Sequence, residues 1–558
     1  MLAEVSTCYY NTVAQNLLSW GTEVRETIVL GFPCPTFAQR PLRLSELLDA
    51  SERFSDREYL VQGSHRTTFL EFRLAVSNLT TFLRRCGVRR SDRVLIFAAN
   101  SIEWVVAFWS VTQIGGIVVL GNAWWSQSEV QHAIDTVNPK LVLTDHKRRE
   151  LLPISQPRVL LTALQSNPES VVGDSAISIL DSEASEDDPA LILFTSGTTG
   201  MAKGAVLTHR GLIATLQSLL IRTKRLPEIG MQPPAPSKGL LSLPLFHIGG
   251  LQQIITPLVT GGTVVFSDGR FEPEAIIDLI EAEKVSVWSA VPTMVSRVVD
   301  YLEASNHRPV ESIKTVGMGG SPVLQQLRDR VLKTFPNAGR GVAVTYGLSE
   351  ACGVVATGAG AEVRERPGTV GRPIPTATIR ISDPDENGIG EILVRSPSVM
   401  RGYWSDDPAN AADHTDPGPV TTDRWLRTGD VGRLDEDGYL YVTDRSKDIV
   451  IRGGENVATP NVENRLLEHS AVVEAAVVGL PHPSLGEELG AIVVVQEGVQ
   501  ISERELTEFV ADGLAYFEVP TRWQIRVNPL PQNTTGKVLK RVLRQEWIEQ
   551  LCAVGERA

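Results

Sequence analysis

Residues 191–210, LILFTSGTTGMAKGAVLTHR, place glycines, hydroxyl side chains and one lysine between two apolar runs. Glycine adopts backbone conformations that other residues avoid and leaves N–H groups accessible, hydroxyls supply further donors, and Lys203 adds a positive charge. Such a loop is suited to binding polyphosphate oxygens. The alternative is a flexible polar connection, because turns rich in glycine and serine are common.

This loop differs from the phosphate loop of nucleotide triphosphatases, which requires G-x-x-x-x-G-K-[ST] between a strand and a helix. Counted from Gly197, Ala202 stands at the second glycine position and Gly204 follows the lysine. The segment after the lysine, GAVLTH, is typical of a strand rather than a helix. The pattern therefore disfavours a Walker-type triphosphatase.

A second segment, TYGLSEACG at residues 345–353, is similar to the nucleophile turn of serine hydrolases, G-x-S-x-G. Ala351 stands at the last position, where that tight turn needs glycine, so we do not expect Ser349 to be a nucleophile. Glu350 suits another task, because a carboxylate on a glycine-flanked turn can ligate Mg²⁺ together with waters and substrate phosphates. For this segment taken alone, a solvated loop carboxylate is the better interpretation.

These segments need a scaffold, and the chain predicts one of the α/β class. Strand-like and helix-like runs alternate in DRVLIFAAN, SIEWVVAFWSVTQIG, GIVVLGN, SEVQHAIDTVN and PKLVLTD. The same order recurs from residue 239 in GLLSLPL, GLQQIITPLVTG, GTVVFS, EPEAIIDLIEAEK and VSVWSAV. Strands that alternate with helices form parallel sheets, so we expect two α/β sheet layers in a large amino-terminal domain.

The pattern changes towards the carboxyl terminus. After about residue 365, short alternating strands with many Gly and Pro predict a small distorted β-barrel. Near residue 445 the composition shifts again, to the strands and helices of a compact α+β unit. We therefore assign residues 1–446 to the amino-terminal domain and residues 447–558 to a smaller carboxyl-terminal domain.

Charge and cysteine content exclude several classes of protein. The chain has 558 residues, with 53 Lys and Arg against 66 Asp and Glu and a net charge of −13. This length exceeds a single core, and the acidic balance without a basic block disfavours nucleic acid as a partner. The 5 cysteines are scattered without a C-x-x-C pair, which disfavours a disulfide framework and a zinc site and fits a reducing compartment.

The longest apolar run begins at Trp104. Polar residues and the Gly115-Gly116 pair interrupt it, so it predicts a buried helix followed by a buried strand rather than a membrane span. The amino-terminal segment lacks the pattern of a secretory signal. We therefore expect a cytoplasmic protein without an integral membrane segment.

Further motifs follow in a fixed order: LPLFHIGG (243–250), GMGGSPV (317–323), GEILVRSPSVMRGYW (390–404), WLRTGD (425–430), DRSKDIVIRGGENV (444–457) and LPQNTTGKVLKRVLR (530–544). Together with the first two segments, this series resembles the acyl-adenylate-forming superfamily, which contains acyl- and aryl-CoA ligases, luciferases and peptide-synthetase adenylation domains. The resemblance covers nearly the whole chain, from about residue 40 to 545. Any one of these motifs alone would be weak evidence for the resemblance.

The resemblance implies a role for each group. The loop side chains would hold the β- and γ-phosphates of ATP, the GMGGSPV segment would border the adenine, and Glu350 would hold Mg²⁺. Ser349 would contact the α-phosphate, and Asp430, assisted by Arg445, would accept from the ribose hydroxyls. The residues implied for ATP and AMP are Thr195, Ser196, Gly197, Thr198, Thr199, Lys203, Gly319, Gly320, Ser321, Pro322, Tyr346, Gly347, Ser349, Asp430 and Arg445.

The lysine of the last motif, Lys537, matches one that reaches the bound carboxylate and the α-phosphate in this superfamily. The resemblance therefore implies Lys537, Glu350 and Thr195 as catalytic residues. A carboxylate that attacks an α-phosphoryl group brings like charges together, and positioned cations lower that barrier. The carboxylate is already ionised at neutral pH, so the protein need not remove a proton.

A second half-reaction would transfer the acyl group to a thiol. In CoA ligases the matching glycines line a narrow passage for pantetheine, which makes Gly453, Gly454 and Glu455 the expected CoA-binding residues. The resemblance also implies that the carboxyl-terminal domain is mobile and rotates about Lys447. One orientation would use Lys537 for adenylation and the other would use the GGEN loop for thioester formation.

One residue of the acyl pocket is also implied. His247, in LPLFHIGG, lies where relatives line that pocket, while a core or helix-capping histidine is the alternative. The chain departs from the usual pattern at Met201-Ala202, where many relatives have proline before the lysine, and at Ser349, where threonine is usual. It also has Ala458 and Thr459 where Tyr-Pro is frequent, a change on the pantetheine side.

We therefore expect a carboxylic acid–CoA ligase that uses ATP, Mg²⁺ and coenzyme A. The alternatives are an enzyme that loads the phosphopantetheine of a carrier protein, a relative that binds nucleotide without turnover, and an oxidative luciferase-like enzyme. Intact Lys537 and Glu350 disfavour a protein that only binds nucleotide. The choice among fatty, aromatic and polycyclic acids stays open, as does a homodimer.

Overall fold

The structure is a computed structural model. It describes residues 20–161, 185–195, 202–227, 235–305, 307–321, 323, 325–405, 415–445, 450–452, 455–457, 459–482, 485–496, 498–514, 516–532 and 538–555. The chain divides into two compact units. The larger comprises Met1–Ile379 and Val394–Arg427, and the smaller comprises Arg380–Leu393 and Thr428–Ala558.

Strands are short and numerous. In chain order they are β1 Val24–Val29, β2 Phe32–Phe37, β3 Glu58–Gln62, β4 His65–Thr68, β5 Arg93–Phe97, β6 Ile117–Leu120, β7 Leu141–Thr144, β8 Arg158–Leu160, β9 Pro189–Thr195, β10 Lys203–Thr208, β11 Lys238–Leu241, β12 Thr263–Phe266, β13 Val287–Ala290, β14 Thr315–Gly319, β15 Val342–Tyr346, β16 Ala356–Ala359, β17 Thr369–Pro373, β18 Thr378–Ser382, β19 Gly390–Arg395, β20 Tyr403–Trp404, β21 Thr415–Asp416, β22 Leu426–Leu434, β23 Leu440–Arg445, β24 Val450–Arg452, β25 Glu455–Val457, β26 Val472–His482, β27 Gly486–Val495 and β28 Arg522–Arg526.

Helices alternate with these strands. In chain order they are α1 Leu44–Ala50, α2 Phe69–Arg85, α3 Ile102–Ile114, α4 Gln127–Val137, α5 His146–Arg149, α6 His209–Arg222, α7 Ile248–Thr260, α8 Pro273–Glu283, α9 Pro292–Ala304, α10 Gln325–Thr334, α11 Ala361–Glu365, α12 Thr459–Leu467, α13 Glu503–Ala511 and α14 Lys540–Gly555.

The first sheet of the larger unit has the strand order β21-β20-β10-β9-β6-β5-β7-β8. Strands β9, β6, β5, β7 and β8 are parallel, while β10 pairs antiparallel with β9 and β20 pairs antiparallel with β10. The strand and helix order predicted for residues 93–144 is confirmed. Both faces of such a parallel sheet must be covered, and crossover helices such as α3 and α4 do this.

The second sheet of the larger unit follows the order β17-β16-β15-β14-β13-β11-β12-β3-β4. Its central strands from β15 to β3 are parallel, and the outer strands β16 and β4 pair antiparallel with them. The second predicted series, from residue 239, therefore forms a second parallel sheet. Two α/β layers are confirmed in the larger unit.

Helix α3 illustrates how the sequence determines the packing. The Ser101 side chain accepts from Trp104 N at its start, and Gly115, with φ of 78°, ends it in the left-handed region. Trp104 and Trp109 are fully buried, because the helix is apolar on nearly all sides. The predicted buried helix and strand are confirmed, and no helix within the described ranges has the length and apolar character to cross a membrane.

The smaller unit contains two groups of strands. One has the order β18-β19-β22-β23, and the other has β25-β24-β27-β26 with β28 parallel to β27. Helices α12 and α13 pack on the second group around a core that includes Val450, Val457 and Val493. The predicted α+β character of the carboxyl-terminal residues is confirmed. The boundary at 446/447 stays a prediction.

Candidate active site

The predicted phosphate loop is carried by a hairpin of β9 and β10. Thr195, the last residue of β9, is directly opposite Lys203, the first residue of β10. Residues 203–208 form a strand, as expected from GAVLTH, so this loop is not a Walker loop. The register brings one predicted phosphate-binding hydroxyl and the predicted lysine to the same end of the hairpin. Lys203 is exposed there.

Tyr403 connects this hairpin to the second predicted motif. It pairs with Ala205 of β10, its ring centroid lies 5.2 Å from Lys203 Nζ, and its hydroxyl donates to Glu350 Oε1 at 3.0 Å. Burial, and then the adjacent Glu350 carboxylate, raise the pKa of Tyr403 above its ordinary value, while a hydrogen bond with Thr195 opposes the shift. The hydroxyl is therefore protonated at neutral pH and acts as a donor.

Glu350 is held on a short 3₁₀ turn, Ser349–Ala351. Its carbonyl oxygen accepts from Met400 N at 2.8 Å, so the main chain is fixed beside the strand that carries Tyr403. Gly347 lies two residues before this turn, and a Cβ there would overlap the Gly353 carbonyl oxygen. The glycine of TYGLSE is thus required by a close approach of two backbone segments.

The base of the hairpin is fixed by partly buried ion pairs. Arg210 Nε and Nη2 donate to Asp187 Oδ1 and Oδ2 at 2.6 and 2.8 Å. Arg40 makes a similar two-point contact with Glu186, at 2.9 and 2.6 Å. Asp187 precedes β9 and Arg210 follows β10, so this ion pair joins the two ends of the segment that holds Thr195 and Lys203.

The predicted adenine segment lies at the carboxyl ends of neighbouring parallel strands. Gly319 ends β14 directly opposite Thr345 in β15, and Tyr346 follows it. A Cβ at Gly319 would overlap the Thr345 hydroxyl, so the two strand ends approach closely. Gly320 and Ser321 follow β14 at the same edge. Ligands of open α/β sheets bind at this edge, which agrees with the predicted nucleotide site.

His247 lies at the N-cap position of α7 but makes no capping hydrogen bond with its side chain. Its ring is 4.6 Å from Phe246, which in turn contacts Trp124 at 5.1 Å. Burial lowers the pKa of His247 to about 4, so the imidazole is neutral at physiological pH. Nε2 is buried without a hydrogen-bond partner in the described part of the chain. An apolar, aromatic environment therefore surrounds this neutral ring.

Asp430 and Arg445 belong to the smaller unit, where they are directly opposite each other in β22 and β23. Asp430 is buried, and its N–H donates to the Thr428 hydroxyl at 3.0 Å. That hydroxyl donates to the Ile392 carbonyl oxygen at 2.7 Å, which fixes the TGD turn on β19. The predicted ribose pair is therefore adjacent within this unit.

Several predicted residues lie outside the described residues, namely Ser196, Gly197, Thr198, Thr199, Pro322, Lys447, Gly453, Gly454 and Lys537. For Arg445 and Glu455 only the backbone is described. Glu455 begins β25, opposite Arg452. The roles assigned to all these residues stay predictions.

Sequence reasoning assigned no role to Tyr403 or to His132. His132, on α4, places Nε2 at 2.9 Å from the Ala202 carbonyl oxygen and so holds the far end of the phosphate loop. The tyrosine was within the quoted motif GEILVRSPSVMRGYW, but only the pairing of β20 with β10 brings it to Glu350. The sequence offered one indication of a role for Tyr403, namely that it is a polar aromatic residue within one of the ordered motifs.

The arrangement fits Mg²⁺ bound mainly through substrate phosphates. Among the residues that the structure describes, no group of three or more His, Cys, Asp and Glu side chains could hold a metal ion. A single carboxylate, Glu350, with phosphate oxygens and waters is the usual set for Mg²⁺ in nucleotide sites. The neighbouring Lys203 and Thr195 side chains supply donors that suit anionic ligands.

Comparison with known proteins agrees with this geometry. The family model "AMP-binding enzyme" matches residues 47–404, and "AMP-binding enzyme C-terminal domain" matches residues 461–537. The chain is 32% identical to 2-succinylbenzoate–CoA ligase of Bacillus licheniformis, over 89% of this chain and 98% of the relative. It is 31% identical to feruloyl-CoA synthase of an Amycolatopsis species, over 87% of this chain and 95% of the relative.

A solved structure shares the fold as well. O-succinylbenzoate coenzyme A synthetase of Bacillus subtilis, in complex with ATP and magnesium ion, has a TM-score of 0.72 and 29% identity, covering 89% of this chain and 98% of that one. These relatives are CoA ligases, which confirms the predicted class of AMP-forming acid–thiol ligase with ATP, Mg²⁺ and coenzyme A. On the family match and these identities, the chain belongs to the AMP-binding enzyme family.

Proposed function

We propose that this chain activates an aromatic or fatty carboxylic acid in two half-reactions. A carboxylate oxygen attacks the α-phosphorus of ATP, the bond to the bridging oxygen breaks, and pyrophosphate leaves. The thiol of coenzyme A then attacks the acyl carbon and AMP leaves, while the thiol proton passes to solvent. The observation that carries this proposal is the contact of Tyr403 with both Lys203 and Glu350, at the loop end of the β9–β10 hairpin.

The larger unit supplies the phosphate side of the first half-reaction. Lys203, Thr195 and the hydroxyls of the loop bind the β- and γ-phosphates, and Ser349 contacts the α-phosphate. Glu350 holds Mg²⁺, which neutralises phosphate charge when bound. Tyr403 orients the Glu350 carboxylate by donating to Oε1. Because such transfers are governed by positioning and electrostatics, this contact affects the rate directly.

Lys537 supplies the second positive charge. In this proposal it contacts the carboxylate and the α-phosphate as they approach each other, which lowers the repulsion between two anions. Gly453, Gly454 and Glu455 border the pantetheine in the second half-reaction. In this proposal, rotation of residues 447–558 about Lys447 brings Lys537 to the substrates for adenylation and brings Gly453, Gly454 and Glu455 to them for thioester formation.

The class of acid is proposed from the surroundings of His247. Phe246 and Trp124 form an aromatic contact beside this neutral, half-buried ring, so the site favours an apolar or aromatic acyl group over a charged one. The names of two relatives agree with this class, because they refer to a feruloyl group and to long-chain fatty acids, and 2-succinylbenzoate, named in a third, contains an aromatic ring. Free coenzyme A is the proposed acceptor, in the cytoplasm; a carrier protein and a homodimer stay open predictions.

Release of pyrophosphate tests the first half-reaction. Ferulate, 2-succinylbenzoate, palmitate and a polycyclic acid are each incubated with ATP, Mg²⁺ and either wild-type enzyme or Lys537→Ala. We expect release with at least one acid and a loss of about 100-fold or more in the variant, the scale of removing one charged transition-state contact. Equal release by the variant would contradict the role of Lys537.

Thioester formation tests the acceptor. The acid with the greatest release is incubated with enzyme and ATP, then with coenzyme A or with a holo-carrier protein. We expect an acyl-CoA product, detected by mass spectrometry. Transfer to the carrier protein alone, or no consumption of the adenylate, would contradict the proposed acceptor.

A further inference from the structure

Arg424 has a backbone conformation that is unusual for its residue type. Its φ is 64°, in the left-handed region, within the turn between Thr421 and Trp425 of the larger unit. Residues other than glycine, asparagine and aspartate rarely adopt this conformation, and such strain is often kept at functional sites. The arginine side chain is therefore a candidate for a task that a glycine could not perform.

The turn itself is firmly held. Thr421 N donates to the Trp425 carbonyl oxygen at 2.8 Å, and Trp425 N donates to the Thr421 hydroxyl at 2.9 Å. Arg424 N donates to the Thr421 carbonyl oxygen at 2.9 Å. Val420 and Leu426 form an antiparallel bridge beside the turn, and Trp425 is buried. The turn therefore provides a fixed base for the Arg424 side chain.

The Arg424 guanidinium contacts three consecutive backbone carbonyls. Nη2 lies 2.9 Å from the Met400 carbonyl oxygen and 3.2 Å from that of Val399. Nη1 lies 3.3 Å from the Arg401 carbonyl oxygen. Guanidinium only donates, and carbonyl oxygens only accept, so each contact is complementary. The side chain thus restrains the main chain of residues 399–401.

The segment that Arg424 holds is the one that contacts Glu350. Met400 N donates to the Glu350 carbonyl oxygen at 2.8 Å. The hydroxyl of Tyr403, three residues further along the chain, donates to Glu350 Oε1 at 3.0 Å. Both the main chain and the carboxylate of Glu350 are therefore bonded to residues that follow directly on the carbonyls held by Arg424.

No second donor replaces the guanidinium at this segment. Val399 and Met400 are buried, and among the described residues their carbonyl oxygens accept from Arg424 alone. Residues 401–402 are attached to β10 by backbone hydrogen bonds instead. A buried carbonyl without a donor is unfavourable, so the main chain shifts when its donor is lost. Loss of the guanidinium therefore frees the part of the segment that adjoins Glu350.

We propose that Arg424 is a positioning residue for adenylation. By holding the carbonyls of residues 399–401, it sets the position of the two donors that meet Glu350, and so the direction of that carboxylate. The inference rests on the proposed function, which assigns Glu350 to Mg²⁺. A displacement of about 1 Å in a positioned group can lower a rate by about 100-fold, so this restraint affects adenylation.

The test uses Arg424→Gly, which removes the guanidinium and leaves a residue suited to a φ of 64°. The turn should then keep its own hydrogen bonds while the attachment to residues 399–401 is lost. Arg424→Lys should keep part of the attachment, because an ammonium still donates to carbonyls. Melting temperatures establish that each variant is folded.

The matched control is Arg158→Ala, in β8 of the same unit. Arg158 Nη1 donates to the Leu152 and Pro153 carbonyl oxygens at 3.3 and 3.0 Å, so it too is an arginine bound to backbone carbonyls. Strand β8 is at the opposite end of the first sheet from β20 and β21. The variant thus removes similar bonds at a place remote from Glu350 in the sheet.

Hydrogen exchange, followed by mass spectrometry in full-length enzyme without substrates, measures the attachment itself. We expect the Met400 amide to exchange about tenfold faster or more in Arg424→Gly than in wild type, because local opening becomes easier. The Thr421 amide, within the turn, should exchange at the wild-type rate. Arg158→Ala should leave both rates unchanged.

ATP–pyrophosphate exchange, with the acid that released most pyrophosphate, measures the effect on adenylation. We expect Arg424→Gly to lower kcat/KM for ATP by about tenfold or more and to raise the Mg²⁺ concentration for half-maximal rate. The double variant Arg424→Gly/Tyr403→Phe should lose less than the product of the two single losses. Both changes act through the orientation of Glu350, so their effects are coupled.

The outcomes separate this inference from the proposed function. Wild-type exchange of the Met400 amide in Arg424→Gly, or equally faster exchange of the Thr421 amide, would overturn the positioning role. So would a wild-type kcat/KM, losses that multiply in the double variant, or the same kinetic loss in Arg158→Ala. If wild-type enzyme supports no pyrophosphate exchange with any acid, the proposed function is wrong, and this inference is overturned with it.

Discussion

The Tyr403 hydroxyl donates to Glu350 Oε1 at 3.0 Å while its ring centroid lies 5.2 Å from Lys203 Nζ. One side chain thus contacts the carboxylate predicted to hold Mg²⁺ and the cation predicted to hold phosphate. Because burial raises the pKa of Tyr403, its hydroxyl stays protonated well above neutral pH. The contact therefore orients Glu350 over the whole physiological range of pH.

Tyr403→Phe removes the hydroxyl and keeps the ring beside Lys203. A hydrogen bond to a charged group contributes about 1.5–3 kcal/mol, so we expect kcat/KM for ATP to fall by about 10- to 100-fold. The Mg²⁺ concentration for half-maximal rate should also rise, because Glu350 is less well oriented. ATP–pyrophosphate exchange at varied Mg²⁺ measures both effects.

The control for this variant is Tyr441→Phe. The Tyr441 hydroxyl donates to Asp435 Oδ2 at 3.4 Å in the smaller unit, so the same atom is lost from another tyrosine–carboxylate pair. We expect its Mg²⁺ dependence to match wild type. Wild-type exchange by Tyr403→Phe at every Mg²⁺ concentration would rule out the orienting role.

Local patterns predicted the parallel layers and the buried helix α3, because alternation and apolar runs depend on neighbours in the chain. The strand after Lys203 could be predicted for the same reason. The two sheets follow from segments that each have the length and composition of a strand or a helix. Such features do not require knowledge of distant contacts.

Tyr403 and Arg424 could not be predicted in this way. Strand β20 has only two residues, and it reaches Glu350 by pairing with β10, which is remote in the chain. Arg424 contacts the carbonyls of residues 399–401, which lie 23 to 25 residues earlier in the chain. Such contacts depend on how distant elements pair. A charged or polar side chain in a single sequence does not reveal which carbonyl or carboxylate it will meet.

Gly347→Ala should abolish adenylation and destabilise the larger unit. The added Cβ would overlap the Gly353 carbonyl oxygen, so one of the two backbone segments must shift, and the turn that carries Glu350 lies between them. Overpacking of this kind costs about 1–3 kcal/mol or more. We expect a lower melting temperature and loss of pyrophosphate exchange.

Gly239→Ala is the matched control, in β11 of the same unit. Its added Cβ would meet backbone oxygens at 3.8 and 3.9 Å, which are ordinary contacts. This variant should keep wild-type exchange. If both variants retain activity, the close approach at Gly347 does not restrict the turn that carries Glu350.

Stability should fall in mild acid because of His209. Burial lowers its pKa from 6.5 to about 4, and Leu44 N donates to its Nδ1 at 3.4 Å. The folded state keeps the ring neutral while the unfolded state binds a proton below pH 6.5. The free energy of unfolding therefore falls as the pH decreases from 6.5 to 4, by about 3 kcal/mol from this residue.

His209→Asn removes this titration and keeps an acceptor for Leu44 N. We expect urea unfolding curves of the variant to change less between pH 6.5 and 4 than those of wild type. The control is His65→Asn, at an exposed position of β4, which should follow the wild-type pH dependence. The same acid sensitivity in His209→Asn as in wild type would exclude His209 as its source.

Arg210→Lys should loosen the hairpin that carries Thr195 and Lys203. Arg210 donates to Asp187 at two points, and its side chain is only 8% exposed. A lysine cannot reproduce the two-point contact, so one oxygen of the partly buried Asp187 carboxylate loses its donor. We expect a loss of about 2–4 kcal/mol in the free energy of unfolding and a higher KM for ATP.

The control is Arg25→Lys. It removes a two-point contact with Glu23 in which the side chains are 65% and 61% exposed, and it should change neither the free energy of unfolding nor the KM for ATP. Urea unfolding and exchange kinetics measure both variants, and wild-type values for Arg210→Lys would mean that the Asp187 contact does not hold the two ends of the hairpin together.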